Sequence, residues 1–320
     1  MLASEYGLQC FDAVRGLDTV EIVGVLTPKQ EYELKYSRRY TKKMKNSIYS
    51  TLLLKCSNFH IPVHVIDKMN DPDTEQKIRE WKPELIIVSG WYHLIGKRIL
   101  EIPTKGVVGL HASLLPRYRG GAPLVWQIIN GEEFAGITLF YIDDGAVDSG
   151  DIIGQRMVKI EYSDTISTLY DKVGEEGIAL LKENLPLIAL GNAPRVEQKG
   201  LSDKDIFSMR NPEDGLINWN KSSKQIYDFV RAQTKPYPGA FSSYMGYKVI
   251  VWACEEVVCR CTTEKAGVIL EIIMEDNRSK PIISTKDFEY AIKIKDYIVL
   301  DEKNKEVKAE KIFEKGRWFE

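Results

Sequence analysis

The stretch from residue 106 to residue 155, GVVGLHASLLPRYRGGAPLVWQIINGEEFAGITLFYIDDGAVDSGDIIGQ, constrains the fold more than any other part of the chain. It opens on an apolar run, Gly106 to Leu110, that reads as a buried strand, and His111 follows directly. Ser113, Pro116 and the turn residues Gly120-Gly121-Ala122 lead into a helical run ending at Asn130. A second strand, Gly136 to Ile142, ends in the acidic loop Asp143 to Asp148. A histidine and a carboxylate therefore each sit just past the carboxyl end of a strand, the edge at which open α/β sheets bind ligands. An imidazole beside a carboxylate can carry a proton. The plainer reading is a satisfied loop histidine and a turn aspartate; the Gly-rich turn and the strand-end placement favour a site.

The rest of residues 1–200 alternates helix and strand patterns. Leu8–Val14, Lys42–Cys56 and Thr74–Trp81 read as helices, and Val20–Thr27, Ile61–Ile66, Leu85–Ser89 and Val107–Leu110 as strands. This order implies βαβ units and a mainly parallel sheet, an α/β fold. Ile166–Leu185 reads as a long helix packed on the sheet. A polar segment with Gly191, Pro194 and Gly200 marks a boundary, giving domains 1–200 and 201–320. After one helix, Ser222–Ala232, the pattern turns to strands: Val249–Trp252, Val257–Cys261, Gly267–Met274, Tyr290–Ile294 and Tyr297–Leu300. Short strands in series suggest a small β-barrel.

With 320 residues and 44% apolar content, the chain has enough material for two cores. A net charge of −2 gives no global drive toward nucleic acid. One local exception is the basic, tyrosine-rich run Lys29 to Lys45. It suits phosphate binding and base stacking, or simply a solvated loop and helix face; Arg38 and Arg39 there suit a diphosphate equally well. Five cysteines without a regular framework fit a reducing, cytoplasmic setting. Cys259-Arg260-Cys261 reads as two thiols on one strand face, and with no second ligand pair no metal is expected. No apolar run approaches the ~18 residues of a membrane helix, and no signal peptide precedes the first helix.

The motif residues resemble the 10-formyltetrahydrofolate-dependent formyltransferases, whose pattern is Asn-x-His, Ser-Leu-Leu-Pro, a Gly-rich turn and Asp-x-Gly-Asp. His111, Ser113-Leu114-Leu115-Pro116, Gly120-Gly121-Ala122-Pro123 and Asp148-Ser149-Gly150-Asp151 fit it. A second block resembles the carboxyl-terminal domain of the same enzymes: Arg210 to Gly215, Asn218-Trp219, Arg231-Ala232 and Pro236 to Phe241. Within the family, the runs Pro123–Gly131 and Trp91–Ile95 are closer to enzymes acting on nucleotide-linked amino sugars than to initiator-tRNA enzymes. The resemblance implies a Rossmann-like formyltransferase domain followed by an OB-like barrel. It implies 10-formyltetrahydrofolate as donor and a nucleotide-linked amino-dideoxy sugar as acceptor, for instance a UDP-linked 4-amino sugar for a surface glycan or nonulosonic acid. Methionyl-tRNA formylation is the alternative, and a folate- or nucleotide-binding protein without catalysis the third. A homodimer is compatible with a β-rich second domain.

Two departures stand out. The family's Asn is Gly109 here, and the chain begins in its first helix where the family opens with a strand. A sheet lacking that strand would expose an apolar edge.

Formyl transfer to an amine needs an oxyanion donor and a proton carrier. His111 and Asp148 are the candidates, with Ser113 either bonding the same atoms or satisfying local backbone. No Ser or Cys triad is visible, so a covalent formyl-enzyme is not expected. The resemblance places the donor's flat heterocycle against Ser89, Trp91, Tyr92, His93, Leu94 and Ile95 and the loop containing Asp144, Gly145 and Asp148. His93 is a candidate to replace the missing Asn. For the acceptor the candidates are Arg117, Arg119, Gly120 and Gly121, with Arg210, Asn211, Trp219 and Arg231 from the second domain. Arginine forks suit a diphosphate.

Overall fold

Short Val, Ile and Leu runs flanked by polar turns become buried strands in the first half of the chain. A computed structural model describes residues 1–37, 40–259, 265–287, 289–308 and 312–320. The elements run α1 (Glu5–Arg15), β1 (Val25–Pro28), β2 (Glu31–Ser37), β3 (Tyr40–Lys45), α2 (Tyr49–Asn58), β4 (Val63–Ile66), α3 (Pro72–Trp81), β5 (Ile86–Val88) and α4 (Lys97–Leu100). They continue with β6 (Val107–His111), β7 (Arg119–Gly120), α5 (Pro123–Ile129), β8 (Phe134–Tyr141), β9 (Ile152–Lys159), α6 (Ile166–Ala189) and β10 (Ile206–Phe207). The chain divides into two compact units. Residues 1–119, 136–157 and 173–206 form the first; residues 120–135, 158–172 and 207–320 form the second.

In the first unit β1 pairs parallel with β4, and β5 parallel with β6. β6 pairs antiparallel with β8, setting Gly109 opposite Phe140 and His111 opposite Thr138. The sheet is thus mixed, with order β5-β6-β8-β9. Where an opening strand was expected to be missing, the first residues lie between β1 and β5. Leu2 N–H donates to Leu26 O (3.2 Å), Ser89 N–H to Met1 O (3.1 Å), and the Met1 ammonium to Ile87 O (2.8 Å). Burial lowers that ammonium's pKa to about 5. Helix starts follow local chemistry: Ser4 caps α1, and Asp71 caps α3 with Pro72 in its first turn.

Two expectations for this unit are corrected. The strand expected from Val20 starts only at Val25, where pairing with β4 begins opposite Val63. The helix expected from Lys42 starts only at Tyr49. Before it, β2 and β3 form an antiparallel hairpin that sets Glu31 opposite Lys45 and Glu33 opposite Lys43, and opposite charges favour such pairing. The basic run is therefore a β-hairpin, not a loop and helix face; Arg38 and Arg39 lie outside the described residues.

The second unit carries α7 (Ser223–Gln233) and strands β11 (Ala240–Tyr244), β12 (Tyr247–Val258), β13 (Ile269–Glu275), β14 (Arg278–Ser284) and β15 (Tyr290–Leu300). Two pairs of expected strands merge into the long β12 and β15, which cross a bulge near Ala253. Arg260 and Cys261 lie outside the described residues. The sheet order is β11-β12-β15-β14-β13, and strand pairing does not close it into a barrel. Instead the last residues bond both margins: Ser243 and Glu320 exchange backbone hydrogen bonds, and Phe319 N–H donates to Gly267 O. Ile226 and Val230 of α7 join Tyr244, Val249, Val251 and Ile292 in one core, and α5 packs against α7. Among the described residues no helix is long and apolar enough to cross a membrane.

Arg231 belongs to this interior. It is 7% exposed; its Nε donates to Asp228 Oδ1 (2.8 Å) and its Nη1 to Asp164 O (2.6 Å). All of this ties the guanidinium into the unit's own core, which corrects its expected place on the acceptor. Asp164 is buried too, and burial alone would raise its pKa. Hydrogen bonds from Lys172, the Glu161 N–H and Thr168 outweigh that and hold it below the usual carboxylate range. Chemical unfolding of Arg231→Met is expected to show a loss of about 1.5–3 kcal/mol, since Asp228 keeps Lys224 but loses a buried charge-assisted hydrogen bond. Because Asp164's folded pKa is depressed, its contribution is present above the unfolded pKa and lost as pH falls through the folded one. Acid titration of stability below about pH 4 should therefore be shallower in Asp164→Asn than in the parent.

Candidate active site

His111 closes β6 with its side chain 9–10% exposed. Its Nε2 lies 2.8 Å from the Tyr118 carbonyl. A carbonyl oxygen only accepts, so Nε2 carries the hydrogen and Nδ1 is the basic nitrogen. Nδ1 faces Asp148 Oδ2 at 3.5 Å. The pair expected from the sequence is thus brought together, with the exchangeable position on the Asp148 side of the ring.

The turn after β6 aims that carbonyl. Ser113, fully buried, donates its hydroxyl to Arg117 O (2.6 Å); its own carbonyl accepts from Thr138 Oγ1 (2.6 Å). Gln155 Nε2 donates to Leu115 O (2.9 Å). Tyr118 then adopts φ 57°, a left-handed conformation that non-glycine residues seldom take and that surrounding bonds must hold. Ser113 therefore builds the turn, the local-backbone role of its two candidate roles. Arg117 is exposed beside Tyr118, its guanidinium 5.5 Å from the ring.

Arg119 does not face outward as a diphosphate fork. It is 1% exposed and donates to Val147 O (3.2 Å) and Ser202 O (2.6 Å). The Gly-rich turn is covered as well. Gly120 lies in β7, which pairs with β10. Gly121 donates to Phe207 O, and a Cβ there would fall 2.5 Å from the Met209 nitrogen, so glycine is needed for packing and not for an anion cradle. Three more acceptor candidates are structural. Arg210 stacks over Trp126 (4.8 Å) and bonds Asp214 O and Gln233; Asn211 caps a 3-10 turn; and Trp219, 5% exposed, donates to Ser242 Oγ (3.0 Å).

On the donor side, Ser89 is buried with its hydroxyl on Cys10 Sγ. Trp91 and His93 meet edge to face at 5.5 Å, and Tyr92 and Leu94 are exposed. Ile95, Trp91 and Ile142 all pack against one core cluster that includes Ile86, Val88 and Val107. Asn70, which no motif flagged, braces this segment by bonding Leu94 O (2.9 Å) and Gly96 N–H (2.6 Å). Trp91 Nε1 and His93 Nε2 are buried without hydrogen-bond partners among the described residues, and burial pushes the His93 pKa down. Two orphaned polar atoms on aromatic rings fit a flat heterocycle bearing hydrogen-bonding groups. Asp144, exposed, pairs with Lys97 at 3.4 Å, and Gly145 N–H bonds Asp143.

Gly109 shares His111's face of β6. A Cβ there would lie 2.9 Å from Ile142 Cδ1 and 3.4 Å from the Phe140 ring. Ile142 thus occupies the space a larger side chain would need.

A family model described as formyl transferase matches residues 14–185, and one described as formyl transferase, C-terminal domain, matches residues 210–316. The methionyl-tRNA formyltransferase of Clostridioides difficile (strain 630) is 34% identical over 255 residues, 80% of this chain and 79% of that one. The chain belongs to the formyl transferase family. It is a formyltransferase, a one-carbon transferase built in two domains. Several solved structures share the fold. WlaRD, a sugar 3N-formyl transferase, aligns at a TM-score of 0.61 with 20% identity, covering 92% of this chain and 95% of that one. The N-formyltransferase of Helicobacter canadensis, solved with folinic acid and dTDP-3-aminofucose, aligns at 0.59 with 21% identity over 92% and 99%. HypX of Aquifex aeolicus, solved with tetrahydrofolic acid, aligns at 0.56 with 21% identity over 87% of this chain, which spans 46% of that one.

Because Ile142 fills the space beside Gly109, Gly109→Asn is expected to destabilise the formyltransferase by about 1–3 kcal/mol, the usual cost of overpacking. Adding Ile142→Ala should recover part of it. Thermal melts of the single and double variants check this.

Proposed function

We propose that this formyltransferase transfers the formyl group of 10-formyltetrahydrofolate to the amine of a nucleotide-linked amino-dideoxy sugar. The donor supplies an electrophilic formyl carbon. In this chain Trp91 and His93, with the loop from Asp143 to Asp148, would hold it, and their orphaned ring nitrogens support that assignment. His111 and Asp148 handle the proton. Nδ1 of His111 takes it from the attacking amine, Asp148 balances the resulting imidazolium, and the proton then passes to the departing nitrogen. With glycine at position 109 and Ile142 beside it, β6 offers no polar side chain there to stabilise the oxyanion.

The charge of the second domain carries the choice of acceptor. Residues 207–320 hold 19 Lys and Arg against 18 Asp and Glu, and several cations face carboxylates: Lys293 with Glu255 and Glu275, Lys295 with Glu255, Lys224 with Asp228. A domain that grips tRNA needs an excess of positive charge along one face. The named ligands of the structural neighbours, dTDP and dTDP-3-aminofucose, support a nucleotide sugar as well. Methionyl-tRNA is the second reading, favoured by the basic hairpin and by the Clostridioides difficile relative.

Mass spectrometry after incubation with 10-formyltetrahydrofolate decides between them, using UDP- and dTDP-linked 3- and 4-amino sugars beside charged initiator tRNA. Addition of one formyl group to a sugar nucleotide, lost in His111→Ala, is the expected result. Formylation of the tRNA alone would establish the second reading.

A further inference from the structure

We infer that Gln198 is a positioning residue for Asp148; the inference rests on the reading of His111 and Asp148 as the proton-carrying pair. Gln198 is 6% exposed. It lies just past Val196, which exchanges two backbone hydrogen bonds with Ile152 at the start of β9. Its amide nitrogen donates to Asp148 O (2.9 Å) and to Gly150 O (2.8 Å). Both acceptors are carbonyls, so the NH2 end of the amide must face them. The Gln198 Oε1 is buried without a hydrogen-bond partner among the described residues, so what fixes this side chain is its donation to those two carbonyls.

The residue between the gripped carbonyls and His111 needs such a grip. Asp148 holds φ 52°, a left-handed backbone that aspartate tolerates better than most residues and that neighbouring bonds keep in place. Residues 143–147 of the loop are exposed, tied mainly by contacts among themselves such as Ser149 Oγ to Asp143 and to Ala146 O. Fixation comes at the loop's end. Arg119 holds Val147 O, Gln198 holds the carbonyls of Asp148 and Gly150, and Gly150 lies so close to Tyr141 O that a Cβ would fall 1.9 Å from it. Rotating the Asp148 peptide would break the Gln198 bond and swing the carboxylate away from Nδ1. Gln198 touches no reacting group; it sets where Asp148 points.

Gln198→Met keeps the length and removes the donor, and Gln198→Glu donates a hydrogen only when protonated. In Gln198→Met, kcat should fall by about 10- to 100-fold, the effect of a small misplacement of a reacting group, with KM for the folate donor within about threefold. Gln198→Glu should regain activity as pH falls, an acid-side rise absent from the parent and from Gln198→Met. In an Asp148→Asn background, adding Gln198→Met should change kcat by less than about twofold. Independently of turnover, hydrogen exchange over residues 143–151 should rise in Gln198→Met. Unchanged exchange there, or an undiminished kcat in Gln198→Met, overturns the inference. So does a full additional loss in the Asp148→Asn background. An Asp148→Asn protein with full activity would instead bring down the reading of the pair, while the exchange experiment still judges Gln198. If Gln198→Met does not fold, the Gln198→Glu pH series and its exchange carry the test.

Discussion

The Tyr118 carbonyl, 2.8 Å from His111 Nε2, decides how the rest of the site works. It claims the one ring hydrogen of a neutral imidazole and leaves Nδ1 as the nitrogen that gains or loses a proton. Everything between residues 113 and 119 serves that bond. Ser113 closes the turn on Arg117 O, Thr138 and Gln155 pin its backbone from the neighbouring strands, and Tyr118 bends into a left-handed conformation to present its oxygen. A strand end followed by a tightly bonded turn is a rigid way to hold a ring, and rigid support is what proton transfer across one hydrogen-bond length requires.

The partner carboxylate is held by different means. Asp148 sits at the end of an exposed loop in a left-handed backbone conformation, and buried donors on Arg119 and Gln198 hold the Val147 and Asp148 carbonyls. His111 thus depends on local turn bonds, and Asp148 on side chains from distant parts of the chain. Beside them, Gly109 and Ile142 give β6 an apolar surface where the family pattern has an amide. Under the proposed reaction, stabilisation of a developing oxyanion falls to groups other than a side chain at position 109.

Much of this was legible in the sequence, and the limits have physical causes. The apolar run ending in His111 and the one ending before Asp143 are strands because hydrophobic periodicity reports burial directly. The hairpin before α2 was missed although Glu31–Ser37 alternates polar and apolar residues at strand period; the density of charge made the run read as a solvated loop and helix face. The arginines at 119, 210 and 231 look in sequence like cations for a diphosphate. Burial against carbonyls, a carboxylate or an indole is a tertiary property that residue type does not encode. Gln198 carried no signal at all, since an amide in a polar segment resembles any linker residue. Gly121 stands among the acceptor candidates in sequence, whereas its lack of a side chain answers to the approach of Met209.

The central claim is that His111 presents Nδ1 to Asp148 because Tyr118 holds the hydrogen on Nε2. With four histidines in the chain, long-range nitrogen–proton correlation NMR of ¹⁵N-histidine-labelled protein, assigned by comparison with His111→Gln, reads this directly. It is recorded at roughly pH 8.5, above the range where a free imidazole titrates. The account predicts that the His111 ring carries its hydrogen on Nε2, with an unprotonated Nδ1. A His111 spectrum with the hydrogen on Nδ1 would leave the Tyr118 carbonyl facing a bare nitrogen and would contradict it.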